Sequence, residues 1–96
     1  DVASEEIIPT VFDLKQNYPN PFNPVTTIEF HIPEAGQYKL SVFNILGQLV
    51  DTIAETNYKP GIYQVQFNAA KFASGVYFYR LTGENVNMVK KMMLLK

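Results

Sequence analysis

Cysteine and tryptophan are absent from the 96-residue chain, and histidine occurs only once. Without cysteine, the chain cannot form a disulfide or a thiolate metal site. Eight basic and nine acidic residues give a net charge of −1, which excludes the strong positive field of a nucleic-acid-binding domain. No apolar run approaches the roughly 20 residues of a membrane-spanning helix. These absences leave a globular domain without a transmembrane segment as the class to consider.

The length and the hydrophobic content of 47% fit one domain with its own core. Residues 1–9 are acidic and end at Pro9, so we interpret them as a linker from an upstream domain. The chain begins without a methionine, a basic n-region or an apolar h-region, which is typical of a mature fragment or an excised domain. We therefore expect the folded domain to comprise residues 10–96.

Short apolar runs separated by proline and glycine turns predict seven β-strands and no helix, arranged as a sandwich or a barrel. Ile28, Phe30 and Ile32 share one face of a predicted strand whose other face is polar. Residues 76–82 are apolar on both faces, as expected of a central strand. Residues 48–54 form a further strand of uncertain register.

The C-terminal segment admits two interpretations. Met88, Met92 and Leu95 have the spacing of a helix face. A short turn at residues 83–85, however, would place residues 86–95 antiparallel to residues 76–82. We therefore predict a strand there.

Three glycine positions and a repeated tyrosine carry local structural information. Gly47 is suited to the positive φ of a bulged hairpin turn. Gly61 and Gly75 each open a strand and precede a tyrosine by two residues, Tyr63 and Tyr77. The second pattern predicts a tyrosine corner, in which the hydroxyl bonds to backbone upstream. We expect both tyrosines to serve packing, not catalysis.

Little in the sequence points to catalysis or to a metal or cofactor site. His31 falls on the polar face of its strand, and no neighbour in sequence is expected to orient it as a base. The three serines, Ser4, Ser41 and Ser74, lack a nucleophile-elbow context. The glycines form no phosphate-binding loop, and the carboxylates do not alternate as in a calcium loop. We expect no catalytic residue, no metal and no cofactor.

The aromatic content of 14% leaves a carbohydrate-binding platform open as an alternative. Phe43, Tyr58 and Phe72 are the aromatics expected to be exposed. They would serve an accessory binding or spacer module of a secreted hydrolase.

A proline-rich stretch at residues 17–24 is predicted to form a stiff connection, because proline fixes φ and removes an amide donor. We expect Asn20 and Asn23 to bond backbone groups that the prolines leave unpaired, and Phe22 to anchor the loop in the core. The residues that we expect to have a structural role, and not a functional one, are Asn17, Pro19, Asn20, Pro21, Phe22, Asn23 and Pro24, with Gly47 and Gly61 at the later turns.

The closing segment, residues 90–96, combines lysines with an apolar centre. A final strand this apolar must be either covered or recognised by a partner. Methionine suits both packing and docking.

Five segments in this order resemble the type A C-terminal sorting domain of the Bacteroidota type IX (Por) secretion system. The likeness extends from about Phe12 to Lys96 and lies in residues 14–24, 26–33, 42–48, 73–81 and 90–96. Each segment alone is a weak signal, but all five in the family's order are specific for this family. Met93 stands where the family commonly has leucine, a mild change in an apolar position.

The resemblance implies a seven-stranded, immunoglobulin-like antiparallel β-sandwich of the fibronectin III or FlgD-like kind. It also implies a non-catalytic signal that directs an upstream cargo domain through the periplasm and across the outer membrane to the cell surface or medium. The implied partners are the outer-membrane translocon and its sortase-like machinery, with possible cleavage and surface attachment. The implied sorting residues are Gly75, Val76, Tyr77, Tyr79, Arg80, Leu81, Lys90, Lys91, Met92, Met93, Leu94, Leu95 and Lys96.

Overall fold

The computed structural model describes residues 8–96, so most of the predicted linker at residues 1–9 lies outside the described residues. Within residues 8–96 the regular structure is seven β-strands without a helix. The strands are β1 (Asp13–Leu14), β2 (Val25–Ile32), β3 (Gly36–Phe43), β4 (Leu49–Tyr58), β5 (Gly61–Asn68), β6 (Gly75–Gly83) and β7 (Val86–Leu94).

The strands form two antiparallel sheets that pack face to face. The three-stranded sheet has the order β1-β2-β5, and the four-stranded sheet has the order β4-β3-β6-β7. Alternation places Ile28, Phe30 and Ile32 of β2 in the core, as the sequence predicts. The predicted seven-stranded, immunoglobulin-like β-sandwich is thereby confirmed.

Aromatic side chains fill much of the space between the sheets. Tyr79, Phe30 and Phe67 are the largest fully buried side chains. The predicted exposure of Tyr58 and Phe72 is wrong, because both are half-buried against this core. Tyr58 meets Phe30 edge to face at a centroid distance of 5.4 Å, and Phe72 stacks on Phe67 at 5.9 Å.

The C-terminal segment is a strand, as predicted. The register of β7 on β6 extends from the pair Gly83–Val86 to the pair Gly75–Leu94. Met92 and Leu94 are buried, whereas Met93 between them is exposed, which is the period of a strand and not of a helix. The other side of β6 pairs with β3, so β6 is a central strand.

Strand β4 is longer than the predicted residues 48–54. The pairing of β3 with β4 shifts register at Leu40/Ser41 and again at Val42/Phe43. Such irregularities interrupt the alternation from which a strand is recognised in sequence. The turn before β4 contains Gly47 at a φ of 81°, the left-handed conformation predicted for it.

Three tyrosines form the same corner at three strand starts. The hydroxyls of Tyr38, Tyr63 and Tyr77 donate to the carbonyl oxygens four residues upstream at 2.7, 2.6 and 2.7 Å. Each tyrosine follows a glycine by two residues, and a Cβ at Gly36 or Gly61 would stand only 3.3 Å from the hydroxyl. The corner at Tyr77 was predicted, whereas Tyr38 has the same spacing and was missed.

Gly83 lies directly against the ring of Tyr38, so Gly83→Ala should destabilise the domain. A Cβ at this position would overlap ring carbons of Tyr38. We expect the free energy of unfolding to fall by about 1–3 kcal/mol in urea denaturation. In a Tyr38→Leu background the same change should lower the free energy of unfolding by clearly less. Equal losses in the two backgrounds would contradict this explanation.

Candidate functional site: the clamped terminal strand

Strand β7 lies at one edge of the four-stranded sheet, where the proline-rich loop (residues 17–24) covers part of it. The amide of Phe22 donates to the carbonyl of Met93 at 3.0 Å, and the amide of Leu95 donates to the carbonyl of Phe22 at 3.0 Å. The two segments are parallel at this bridge. The loop thus acts as a short additional strand on the edge.

Side chains of the same region extend this coverage. The side-chain oxygen of Asn20 accepts from the amide of Met93 at 3.0 Å, and Gln16 Nε2 donates to the carbonyl of Lys91 at 2.6 Å. Residues 91–95, here termed the clamped segment, therefore have four backbone groups satisfied on their outer edge. Asn20 had been expected to bond within its own loop, but it bonds to β7 instead.

Phe22 and Asn17 fix the inner side of the loop to the rest of the domain. Phe22 is buried and packs 6.1 Å from Phe67, centroid to centroid. The side-chain amide of Asn17 donates to Thr26 Oγ1 at 3.0 Å and to the carbonyl of Pro19 at 3.2 Å. Asn17, not Asn23, therefore supplies the bonds that stiffen the loop from inside.

Tyr79 joins the centre of the four-stranded sheet to the start of this loop. Its fully buried hydroxyl accepts from the amide of Asn17 at 2.8 Å and donates to the carbonyl of Lys15 at 2.6 Å. Burial raises the pKa of Tyr79 to about 12, against a smaller lowering by the Asn17 amide. The hydroxyl therefore stays neutral and keeps both hydrogen bonds at physiological pH.

The structure separates the implied sorting residues into three groups by exposure. Five are buried and support the strands: Tyr77, Tyr79, Leu81, Met92 and Leu94. Gly75 and Val76 are half-buried, and the exposed members are Arg80, Lys90, Lys91, Met93, Leu95 and Lys96. The exposed group offers most of the side-chain surface that a partner could contact while the domain stays folded.

His31 is oriented by a neighbour, contrary to expectation. Its Nε2 lies 2.8 Å from Oε2 of Glu29, two residues earlier on the same face of β2. Gln64 Nε2 donates to the other oxygen of Glu29 at 3.1 Å, and the bonds from His31 and Gln64 hold the pKa of Glu29 below its ordinary value. In residues 8–96 no cluster of three His, Cys, Asp or Glu side chains could hold a metal ion.

Residues 16–95 match the family described as the secretion system C-terminal sorting domain. The chain belongs to this family. The match includes both the proline-rich loop and β7, and it confirms the resemblance to type IX sorting domains seen in the sequence. No curated protein is significantly similar to the chain.

A solved structure of related shape supports the fold of this sorting domain. The domain resembles part of dimeric latent PorU from Porphyromonas gingivalis with a TM-score of 0.71 and 19% sequence identity. The likeness covers 93% of this chain but only 10% of the PorU chain. Among residues 8–96 there is no helix long and apolar enough to cross a membrane.

Removal of the Tyr79 hydroxyl should loosen the clamp. Tyr79→Phe leaves the amide of Asn17 and the carbonyl of Lys15 without their partner, so the free energy of unfolding should fall by about 1–3 kcal/mol. Urea denaturation followed by circular dichroism measures this loss. Tyr63→Phe removes an exposed corner bond and should cost less; a smaller loss at Tyr79 than at Tyr63 would be inconsistent with the proposed role.

The same hydroxyl predicts a loss of stability at alkaline pH. The pKa of Tyr79 is about 12 in the folded chain against an ordinary value of 10.0, so the folded state retains the phenolic proton more tightly. Its contribution is complete below about pH 10 and is lost as the pH rises towards about 12. Unfolding free energies measured between about pH 9 and about pH 11 should therefore decline less steeply in Tyr79→Phe than in Tyr63→Phe. Parallel declines would contradict the assignment.

Proposed function

We propose that this chain is a non-catalytic export signal that directs a larger cargo protein across the outer membrane through the type IX secretion system. The family match over residues 16–95 carries this proposal. The cargo would be the upstream part of the same polypeptide. It would be released or attached at the cell surface, and cleavage of the signal by the sortase-like machinery belongs to the same proposal.

The clamp explains how a short terminal sequence can act as a folded signal. Residues 91–95 are fixed between β6 on one side and the proline-rich loop on the other. Alternation then directs Met92 and Leu94 inward and leaves Lys91, Met93 and Leu95 exposed. The translocon would recognise a surface with a defined shape instead of a flexible tail.

The alternative of an accessory carbohydrate-binding module has less support. Its aromatic platform was expected to include Tyr58 and Phe72. Both rings are partly buried against the core, and Tyr58 packs between Phe30 and Tyr63. These two side chains therefore do not present a flat exposed face to a sugar ring.

A passenger protein fused in front of the chain should reach the medium or surface of a type IX-secreting bacterium. In an isogenic strain without the translocon it should remain in the periplasm. Deletion of residues 90–96 is a poor test, because it also removes the core side chains of Met92 and Leu94. Folded variants with surface changes are more informative.

M93S/L95S should lower export of the passenger while leaving thermal stability nearly unchanged, since these side chains are 38% and 52% exposed. V11S/I62S is the matched control, because Val11 and Ile62 are 66% and 42% exposed but lie away from the clamped segment. The amounts of exported and periplasmic passenger are compared by immunoblot. Retention of a wild-type fusion in the periplasm of the competent strain would refute the proposed function.

A further inference from the structure

The outer face of the four-stranded sheet carries an apolar groove next to β7. It is about 350 Å³ in volume, and its walls include Phe43, Ile45, Phe78 and Val89. Ile45 and Val89 are 69% and 52% exposed, and Leu49 and Met93 extend the apolar area at 57% and 38%. Contiguous apolar surface of this kind marks interaction sites on soluble domains.

Strand register fixes the relative positions of these side chains. Phe43, Phe78 and Lys91 form one row across β3, β6 and β7. Arg80 and Val89 lie in the adjacent row, so Arg80 lines the groove and Lys91 lies beside Phe78, one of the groove walls. We term the set Phe43, Ile45, Phe78, Arg80, Val89 and Lys91 the docking face.

The two cations of the docking face have no acidic partner among residues 8–96. The guanidinium of Arg80 lies over the ring of Phe43 at 5.3 Å from its centroid. Within residues 8–96 the pairs of a lysine or arginine with a carboxylate comprise Lys15–Asp13 alone, next to the three-stranded sheet. An arginine stacked on an aromatic ring with free donors is typical of interaction hot spots.

We propose that the docking face binds an acidic, apolar protein surface of the export machinery. An apolar side chain of the partner would enter the groove, and its carboxylates would pair with Arg80 and Lys91. The inference rests on the proposed function and extends the recognised surface from β7 to β3 and the turn that follows it. Complementary charge of this kind increases the association rate and the specificity.

An anionic lipid surface fits these observations less well. Lipid recognition by charge typically requires a cluster of about four to eight basic residues. The docking face offers two, and the whole chain has a net charge of −1. An apolar groove lined by aromatic side chains favours a protein partner.

The test uses sedimentation of the purified 96-residue chain with outer-membrane vesicles from a type IX-secreting bacterium. Wild-type chain should bind, and treatment of the vesicles with a protease should abolish the binding. R80E/K91E should bind at least about tenfold more weakly. K59E/K71E makes the same change in net charge at exposed positions outside the docking face and should bind like wild type. Thermal denaturation checks each variant for folding, and R80Q/K91Q replaces the charge reversal if the latter unfolds.

Four results would overturn the docking face: no binding by the wild-type chain, binding that survives protease treatment, wild-type binding by R80E/K91E, or equal loss in both double variants. The passenger fusions separate this inference from the proposed function. If vesicle binding follows the expected pattern but the wild-type fusion is not exported, the export role is wrong and the docking face stands. If the R80E/K91E fusion is exported like wild type, the docking face is wrong and the export role stands.

Discussion

The contact between the proline-rich loop and the edge of β7 is the constraint on which the rest of the structure depends. An edge strand presents unpaired amides and carbonyls to solvent, and among the seven strands of residues 8–96 only β6 pairs with β7. The loop satisfies the groups of the clamped segment, while Phe22 and Tyr79 fix the loop to the core. Residues 16–22 and residues 91–95 are therefore parts of one structural unit.

Under the proposed function, the signal would be part of a folded strand and not a free tail. In a strand, alternate residues face the core, so half of a short recognition sequence is needed for packing. Met92 and Leu94 hold β7 in place, and Lys91 and Met93 face outward on the same strand. Under the proposed function, information for export would be carried by a surface, to which residues distant in sequence such as Phe43 would contribute.

Local sequence patterns made several elements predictable. The buried face of β2 follows from a period-two pattern, the central position of β6 from apolar residues on both faces, and the strand character of β7 from a short turn. The clamp could not be predicted this way, because Gln16 and Lys91 are 75 residues apart and their bond depends on the packed sandwich. The length of β4 was obscured by its irregular register. The His31–Glu29 pair, by contrast, was accessible, since residues i and i+2 share one face of a strand.

Side chains of the docking face that are already ordered by folding would lower the free-energy cost of binding a partner. Binding orders side chains, and each immobilised long side chain costs about 0.5–1.5 kcal/mol of association free energy. The guanidinium of Arg80 already lies over the ring of Phe43. Part of that ordering is therefore completed during folding. For this reason, changes on the docking face should alter recognition with little effect on stability, whereas changes in the clamp alter both.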